Sequence, residues 1–306
     1  MKKIIKNLAK KLPYLKSVLL KAEERDILMN ALGFPPGHFY SPIPSIEEIK
    51  QKQDKIFGNF PQTLPGINLN IEEQLDLLKT FKPYYDEQPF TSHKVEGLRY
   101  YFENGFYSYS DAIFLYCMIR YTQPQKIIEI GSGYSSCIML DTNQLFLKNR
   151  ASCTFIEPYP DRLFSLVKSE NNTQFNLIEK PLQDVDIELF QELSANDILF
   201  IDSTHVSKVN SDVNYILFDI LPSLKSGVFI HFHDIFYPFE YPKDWIIKEK
   251  RAWNEDYILR AFLQYNNAFE MKIFNHFLAL FYHDFFQSNM PLCLKNTGGS
   301  IWLRKN

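Results

Sequence analysis

The sequence predicts an α/β protein, a doubly wound and largely parallel sheet behind a mainly helical N-terminal extension. Three observations predict it. Short apolar runs of strand length alternate with helix-patterned stretches from Lys126 onward, the signature of βαβ units. One of those runs, Ile127, Ile128 and Ile130, ends in Gly131 and Gly133 and passes straight into the helix-start residues Ser135 and Ser136. The chain has 306 residues, 45% hydrophobic and 23% charged, enough for one large sheet domain plus an extension. The expected division is an extension over residues 1–95, acting as a cap or oligomer contact, and a sheet domain over residues 96–306.

The elements follow in chain order. Residues 1–30 read as helix, broken or restarted at Pro13. Lys2, Lys3, Lys6, Lys10, Lys11 and Lys16 interleave there with Ile4, Ile5, Leu8, Leu12, Leu15 and Leu19 at helical spacing. Such a face packs on its own domain, on a partner subunit in a homo-oligomer, or weakly on an anionic membrane surface through residues 1–20. Prolines hold 33–44 extended, Ser45 opens a short helix with Glu48 in capping position, and Asn70 precedes a helix over 71–81. The aromatic stretch 97–107 turns at Asn104-Gly105, and Ser110-Asp111 start a helix over 112–121. Strands are expected near 125–130, 153–157, 175–179, 197–202 and 227–232, with helices over 135–147, 161–169, 187–193, 212–221 and 254–265 between and after them. Two last strands, 269–274 with continuation toward Phe281 and 300–304, have no evident crossover helix between them, which points to an antiparallel hairpin at one edge.

Composition narrows the partners. A formal charge of -3 argues against nucleic acid. Cys117, Cys137, Cys153 and Cys293 show neither CxxC pairing nor metal-ligand rhythm and read as reduced thiols of a cytoplasmic protein. No run approaches the ~20 apolar residues of an integral membrane segment, and the N-terminus lacks a signal-peptide core.

The glycine pair implies a nucleotide cradle, because glycines admit the ligand to the backbone and the following helix offers free N–H groups. A dinucleotide fingerprint wants a third glycine where Ser136 stands. The next strand ends in Glu157, placed to accept from ribose hydroxyls, as in sheets that bind NAD and in those that bind S-adenosylmethionine. Glu129, just before the glycines, favours the cationic sulfonium cofactor if its carboxylate faces the cleft; otherwise it only bonds the glycine loop.

At these residues the chain resembles a known family. Glu129-Ile-Gly-Ser-Gly133 is similar to motif I of the class I S-adenosylmethionine-dependent methyltransferases, Ile156-Glu157-Pro158 to their second-strand acid, and Gln183-Asp184 to their adenine-contacting position. Phe200-Ile-Asp202-Ser-Thr-His205 with Val228-Phe-Ile-His-Phe-His233-Asp234 resembles a bacterial, methyltransferase-24-like branch, as does the block Trp253-Asn-Glu. The resemblance implies a Rossmann-like, seven-stranded sheet of order 3-2-1-4-5-7-6 with strand 7 antiparallel. It also implies a cofactor site of Glu129, Gly131, Ser132, Gly133, Ser135, Glu157, Pro158, Gln183, Asp184 and Asp202. Tyr109, Ser110 and Asp111 would hold the cofactor's amino-acid end, unless they are an ordinary helix cap.

In such sheets ligands sit beyond the carboxyl ends of the strands, so Asp202, His205, His233 and Asp234 converge as the catalytic set. A histidine titrating near neutrality would be the base for a hydroxyl acceptor, oriented by an aspartate. The same four side chains are the set that would hold a divalent metal ion, with two imidazoles favouring Mn, Fe or Zn over Mg. His231 is expected on the opposite face, in a structural role. The aromatics of 236–245 read as a pocket wall or lid for a small hydroxylated acceptor, sugar or natural product. The expected activity is therefore O-methyl transfer to a small molecule. The alternative is a cofactor-binding protein with other metal chemistry or a non-catalytic partner or sensor role.

Overall fold

The computed structural model describes residues 33–167 and 175–306, together with Ser17, Val18, Leu20, Lys21, Glu23 and Asp26. The helix expected over 1–30, and with it the membrane-surface reading of residues 1–20, falls largely outside the described residues. No described helix is long and apolar enough to cross a membrane.

The chain divides into two compact units, Met1–Asn59 with Lys243–Ala252, and Phe60–Pro242 with Trp253–Asn306. In the smaller unit the Ser45 hydroxyl accepts from the Glu48 N–H and starts a helix, Ile46–Gln51, which packs against the helix Lys243–Ile247. The proline-rich loop before it stacks His38 on Phe34 and on Phe39, with centroids 4.7 and 4.4 Å apart. Division after Asn59, rather than after residue 95, has a packing cause. The helix Ile71–Glu87 buries Gln74, Leu77, Leu78 and Phe81 and packs on the helix Tyr109–Thr122 and on the sheet. Gln74 also accepts from the Phe274 N–H at 2.8 Å, so this helix belongs to the sheet unit.

The sheet has seven strands: β1 Lys126–Ile130, β2 Ser152–Ile156, β3 Phe175–Ile178, β4 Ile198–Ile201, β5 Phe229–His233, β6 Phe269–Phe274 and β7 Ser300–Lys305. Their order is β3-β2-β1-β4-β5-β7-β6, parallel throughout except for β7, which is antiparallel to both neighbours. This is the expected topology. Strands β1, β4 and β5 are almost wholly buried, which is why they read as continuous apolar runs rather than alternating ones.

The connection from β6 to β7 differs from expectation. Asn275–Phe281 is a helix, not a continuation of the strand, and a second helix, His283–Asn289, follows before β7. The two strands are thus neighbours without being a tight hairpin. The periodicity misleads here because Phe277, Leu278 and Phe281 face the core from a helix as well as they would from a strand.

The aromatic segment after β5 also departs from expectation. Tyr237, Phe239 and Tyr241 are buried, with Tyr237 packed against Phe274, Phe277 and Phe281 and its hydroxyl donating to the Pro61 carbonyl. They anchor the chain in the core instead of walling an open pocket, while Trp245 lies in the smaller unit under the Arg251 guanidinium, 3.8 Å from its ring centre. All four cysteines are buried and unpaired.

Candidate functional site

The ends of β1, β2, β4 and β5 bring the expected residues to one edge of the sheet, and each is placed by a local cause. Gly131 follows β1 with φ +81°, and a Cβ there would run into the Asp202 backbone carbonyl, so only glycine fits. The Asp202 N–H in turn donates to the Ile130 carbonyl at 2.9 Å. Gly133 is different. Its backbone is extended, and a Cβ would meet only Arg162 Cδ, at 3.4 Å. Nothing among the described residues excludes a side chain there, so the space that glycine leaves lies open at the start of the helix Tyr134–Phe146.

Glu157, half-buried at the end of β2, braces this loop. Its Oε2 accepts from the Ser132 N–H at 3.2 Å and its Oε1 from the Tyr159 N–H at 2.9 Å. The Ser132 hydroxyl is buried and has no partner among the described residues. An open glycine cradle, an unsatisfied hydroxyl and a carboxylate with lone pairs to spare are a fitting set for an adenosyl cofactor. Pro158 and Asp184 are exposed, and Gln183 donates to the Asn210 carbonyl at 2.6 Å.

Glu129 does not face the cleft. It is fully buried, and its two oxygens accept from the Ser135 and Ser136 hydroxyls, each at 2.5 Å. Burial pushes its carboxyl up to about 8, with the two serines opposing the shift. At neutral pH it is a neutral acid tying β1 to the next helix, so its charge cannot select a sulfonium. The bonds of Ser135 likewise go to Glu129.

The second half of the site is a cluster of two imidazoles and several carboxylates. Asp202 Oδ1 lies 3.4 Å from both His205 Nε2 and His233 Nδ1. Asp234 reaches the same pair, with Oδ2 3.6 Å from His205 Nε2 and Oδ1 3.7 Å from His233 Nδ1. Asp202 is the open member, its side chain 38% exposed against 7% for His205 and 10% for His233. Two further carboxylates complete the cluster: Glu255, 2.7 Å from His205 Nδ1, and Asp111, 3.8 Å from His233 Nε2.

Asp111 caps no helix. Its Oδ1 accepts from Asn275 Nδ2 at 3.0 Å and its Oδ2 from the Gly299 N–H at 3.3 Å, which fixes it beside β7. Tyr109 donates instead to Glu103 at 2.9 Å, and the Ser110 N–H to the Asn296 carbonyl at 3.2 Å. Glu255 carried only one sequence signal, its place in the block Trp253-Asn-Glu. Position in the chain says nothing of its contact with His205, fifty residues earlier.

Charge pairing sets the protonation of the cluster. Burial opposes a charge on His205, yet Asp202 and Glu255 outweigh it and push the imidazole up to about 10. Burial likewise opposes a charge on His233, and Asp234 and Asp202 hold it well above its ordinary value. Asp202 also resists ionisation through burial, but His233 and His205 keep its carboxyl well below the usual range. The expectation of a histidine near neutrality is therefore corrected. The acids around them bias both imidazoles toward the cation.

His231 needs a second correction. Residues two apart on a strand share a face, and His231 lies beside His233, with ring centroids 6.3 Å apart. It forms a lower layer with Glu129, Phe200 and Trp302, which stand in register across β1, β4, β5 and β7. Its ring packs between Phe200 and Trp302, at 4.1 and 4.7 Å, and neither nitrogen has a partner among the described residues.

The metal reading fares less well. Asp202, His205, His233 and Asp234 do gather, but as ion pairs, and Nδ1 of His205 is taken by Glu255. Among the described residues no group of three or more His, Cys, Asp or Glu is arranged to hold a metal ion.

Compared with known proteins, residues 128–235 match a family described as "Methyltransferase domain". An uncharacterised protein of Archaeoglobus fulgidus is 38% identical over 185 residues, 59% of this chain and 82% of that protein. The chain belongs to the class I methyltransferases. That relative is archaeal. Among solved structures, the methyltransferase resembles the S-adenosylhomocysteine-bound methyltransferase PaMTH1 of Podospora anserina, at 14% identity and TM-score 0.43, covering 90% of this chain and 100% of that one. It also resembles a putative O-methyltransferase of Klebsiella pneumoniae at 16% identity and TM-score 0.41, covering 85% and 96% of the two chains. An O-methyltransferase of Bacillus cereus in complex with S-adenosylhomocysteine has 13% identity and TM-score 0.40, covering 86% and 100%. The assignment of the methyltransferase rests on the sequence matches and is consistent with its strand order.

Proposed function

We propose that this methyltransferase transfers the methyl group of S-adenosylmethionine to a hydroxyl of a small acceptor, with Asp202, His205, His233 and Asp234 as the reacting edge. One observation carries the reading: Asp202 belongs to both halves of the site. Its backbone closes the turn at Gly131, and its half-exposed carboxylate lies within 3.4 Å of both imidazoles.

Bound at Gly131, Gly133 and Glu157, with Ser132, Pro158, Gln183 and Asp184 around it, the cofactor supplies an electrophilic methyl on a sulfonium. Glu157 would accept from the ribose hydroxyls and Asp184 from the adenine amino group. Asp202, the exposed member of the cluster, would receive the acceptor hydroxyl and orient it for transfer. His205 Nε2, once it has lost its own proton, would take the hydroxyl proton as the acceptor oxygen gains the methyl group, with S-adenosylhomocysteine as the leaving group. His233 pairs with both Asp202 and Asp234 from the other side.

Calorimetry with S-adenosylhomocysteine and with NAD tests the cofactor. Binding of NAD alone would remove the reading. Turnover of methyl-labelled S-adenosylmethionine against a panel of hydroxylated small molecules then tests the reaction.

A further inference from the structure

The backbone of His205 and its Nδ1 are held by two short stretches, 203–205 and 253–255. Its backbone sits at φ +60°, a region that residues with a Cβ avoid unless the surroundings over-determine it. Here they do, because the N–H groups of Asn254 and Glu255 both donate to the His205 carbonyl, at 3.1 and 3.2 Å. The His205 N–H donates to the Ser203 hydroxyl at 3.0 Å, and that hydroxyl donates to Glu255 Oε1 at 2.9 Å. Glu255 Oε2 closes the ring at His205 Nδ1, and the Trp253 ring lies over the imidazole with centroids 4.3 Å apart. Glu255 is 1% exposed and touches no opening to solvent.

We propose that Glu255 is the positioning residue of the reaction: it fixes the ring orientation and proton placement of His205. The inference rests on the reading above in which His205 takes the acceptor's proton. A carboxylate only accepts, so the nitrogen facing Glu255 carries a proton whether the ring is neutral or charged. Nε2, whose carboxylates Asp202 and Asp234 stand farther off at 3.4 and 3.6 Å than Glu255 does from Nδ1 at 2.7 Å, is then the nitrogen that exchanges its proton. Glu255 is also the first residue of the helix Glu255–Leu263, whose N-terminal end favours a carboxylate. Trp253 blocks one face of the ring, and together the two residues leave His205 a single productive orientation. Glu255 itself meets neither cofactor nor acceptor.

Nitrogen-resolved NMR of the imidazole, on the full chain without ligands, reads the placement directly. The expected spectrum keeps the proton on Nδ1 wherever the protein stays folded, with gain and loss at Nε2. In E255Q, whose amide can either donate or accept, the second tautomer should appear. Kinetically, E255Q should lower kcat by about 10²–10⁴ while KM for S-adenosylmethionine stays within about threefold, and E255D should recover part of the loss. A wild-type ring titrating at Nδ1, or an E255Q enzyme with unchanged kcat, overturns the proposal. A wild type inactive on every acceptor but still protonated at Nδ1 supports the positioning and removes the methyl-transfer reading instead. Should E255Q not fold, the wild-type spectrum and E255D still decide.

Discussion

A side chain at Gly131 would collide with the backbone carbonyl of Asp202. The Gly131 turn and the Asp202 edge are therefore built against each other, and the two glycines of the loop should respond differently to alanine. Gly131→Ala meets both the carbonyl and a φ of +81° and is expected to destabilise the fold by more than about 1 kcal/mol. Gly133→Ala meets only Arg162 at 3.4 Å, so its melting temperature should stay within a few degrees of wild type. Its affinity for S-adenosylhomocysteine should nevertheless fall at least about tenfold, because the added methyl enters the ligand's space. Calorimetric melting and titration of the two variants separate these effects.

Glu129 should reveal itself through pH. Its folded-state value, about 8, lies above the ordinary carboxylate range, so the native state holds a proton that the unfolded chain has released. The stability this proton contributes is present at acid pH and is lost as pH rises through about 8. Glu129→Gln has no such proton to lose, and its amide can still bond Ser135 and Ser136. It should match or trail the wild type near pH 6 and exceed it near pH 9 by about 1–3 kcal/mol, read by urea denaturation at the two pH values.

His205, raised to about 10, makes a kinetic prediction. Since the protonated ring cannot accept the hydroxyl proton, kcat/KM, which reports the free enzyme, should climb with pH and level only near pH 10. The limb in kcat should lie lower, because a bound sulfonium disfavours a second cation nearby. In His205→Ala the limb should vanish along with about 10²–10⁴ of the rate. An enzyme whose kcat/KM is flat from pH 6 to pH 9 would exclude His205 as the base.

His231 is a buried histidine with nothing to bond among the described residues, and burial, with the neighbouring His233 charge, holds it well below its ordinary value. Its folded value lies below the unfolded one, so it costs stability as pH falls and the unfolded chain takes up a proton. His231→Phe keeps the stacking on Phe200 and Trp302 and should stabilise by about 1–3 kcal/mol, more at pH 5 than at pH 8. Thermal denaturation at both pH values checks it. A stability loss at both would show that the imidazole has a partner after all.

The strands and the glycine turn were legible because they depend on local pattern, whereas the strand order came from the family resemblance. Ile127, Ile128 and Ile130 must be buried wherever the chain goes, and a strand entering two glycines and a helix start admits few conformations. The helix Asn275–Phe281 was not legible, because a run of Phe and Leu satisfies either period. Nor was the burial of Tyr237, Phe239 and Tyr241, since prolines among aromatics suit a lid and a core anchor equally. The opposite-face placement expected for His231 failed against the two-residue period of the strand itself.

By itself, the sequence determined the sheet, the cradle of Gly131, Gly133 and Glu157, and the arrival of Asp202, His205, His233 and Asp234 at one edge. Residues that close a strand in a doubly wound sheet share an edge as a matter of topology. Only the tertiary structure decided their charge states and their partners. Glu129 became a neutral tether, Asp111 and Glu255 joined the histidines, and both imidazoles were biased toward the cation. Those outcomes depend on burial and on distances of a few ångströms between residues far apart in the chain, and no local pattern of residue types encodes them.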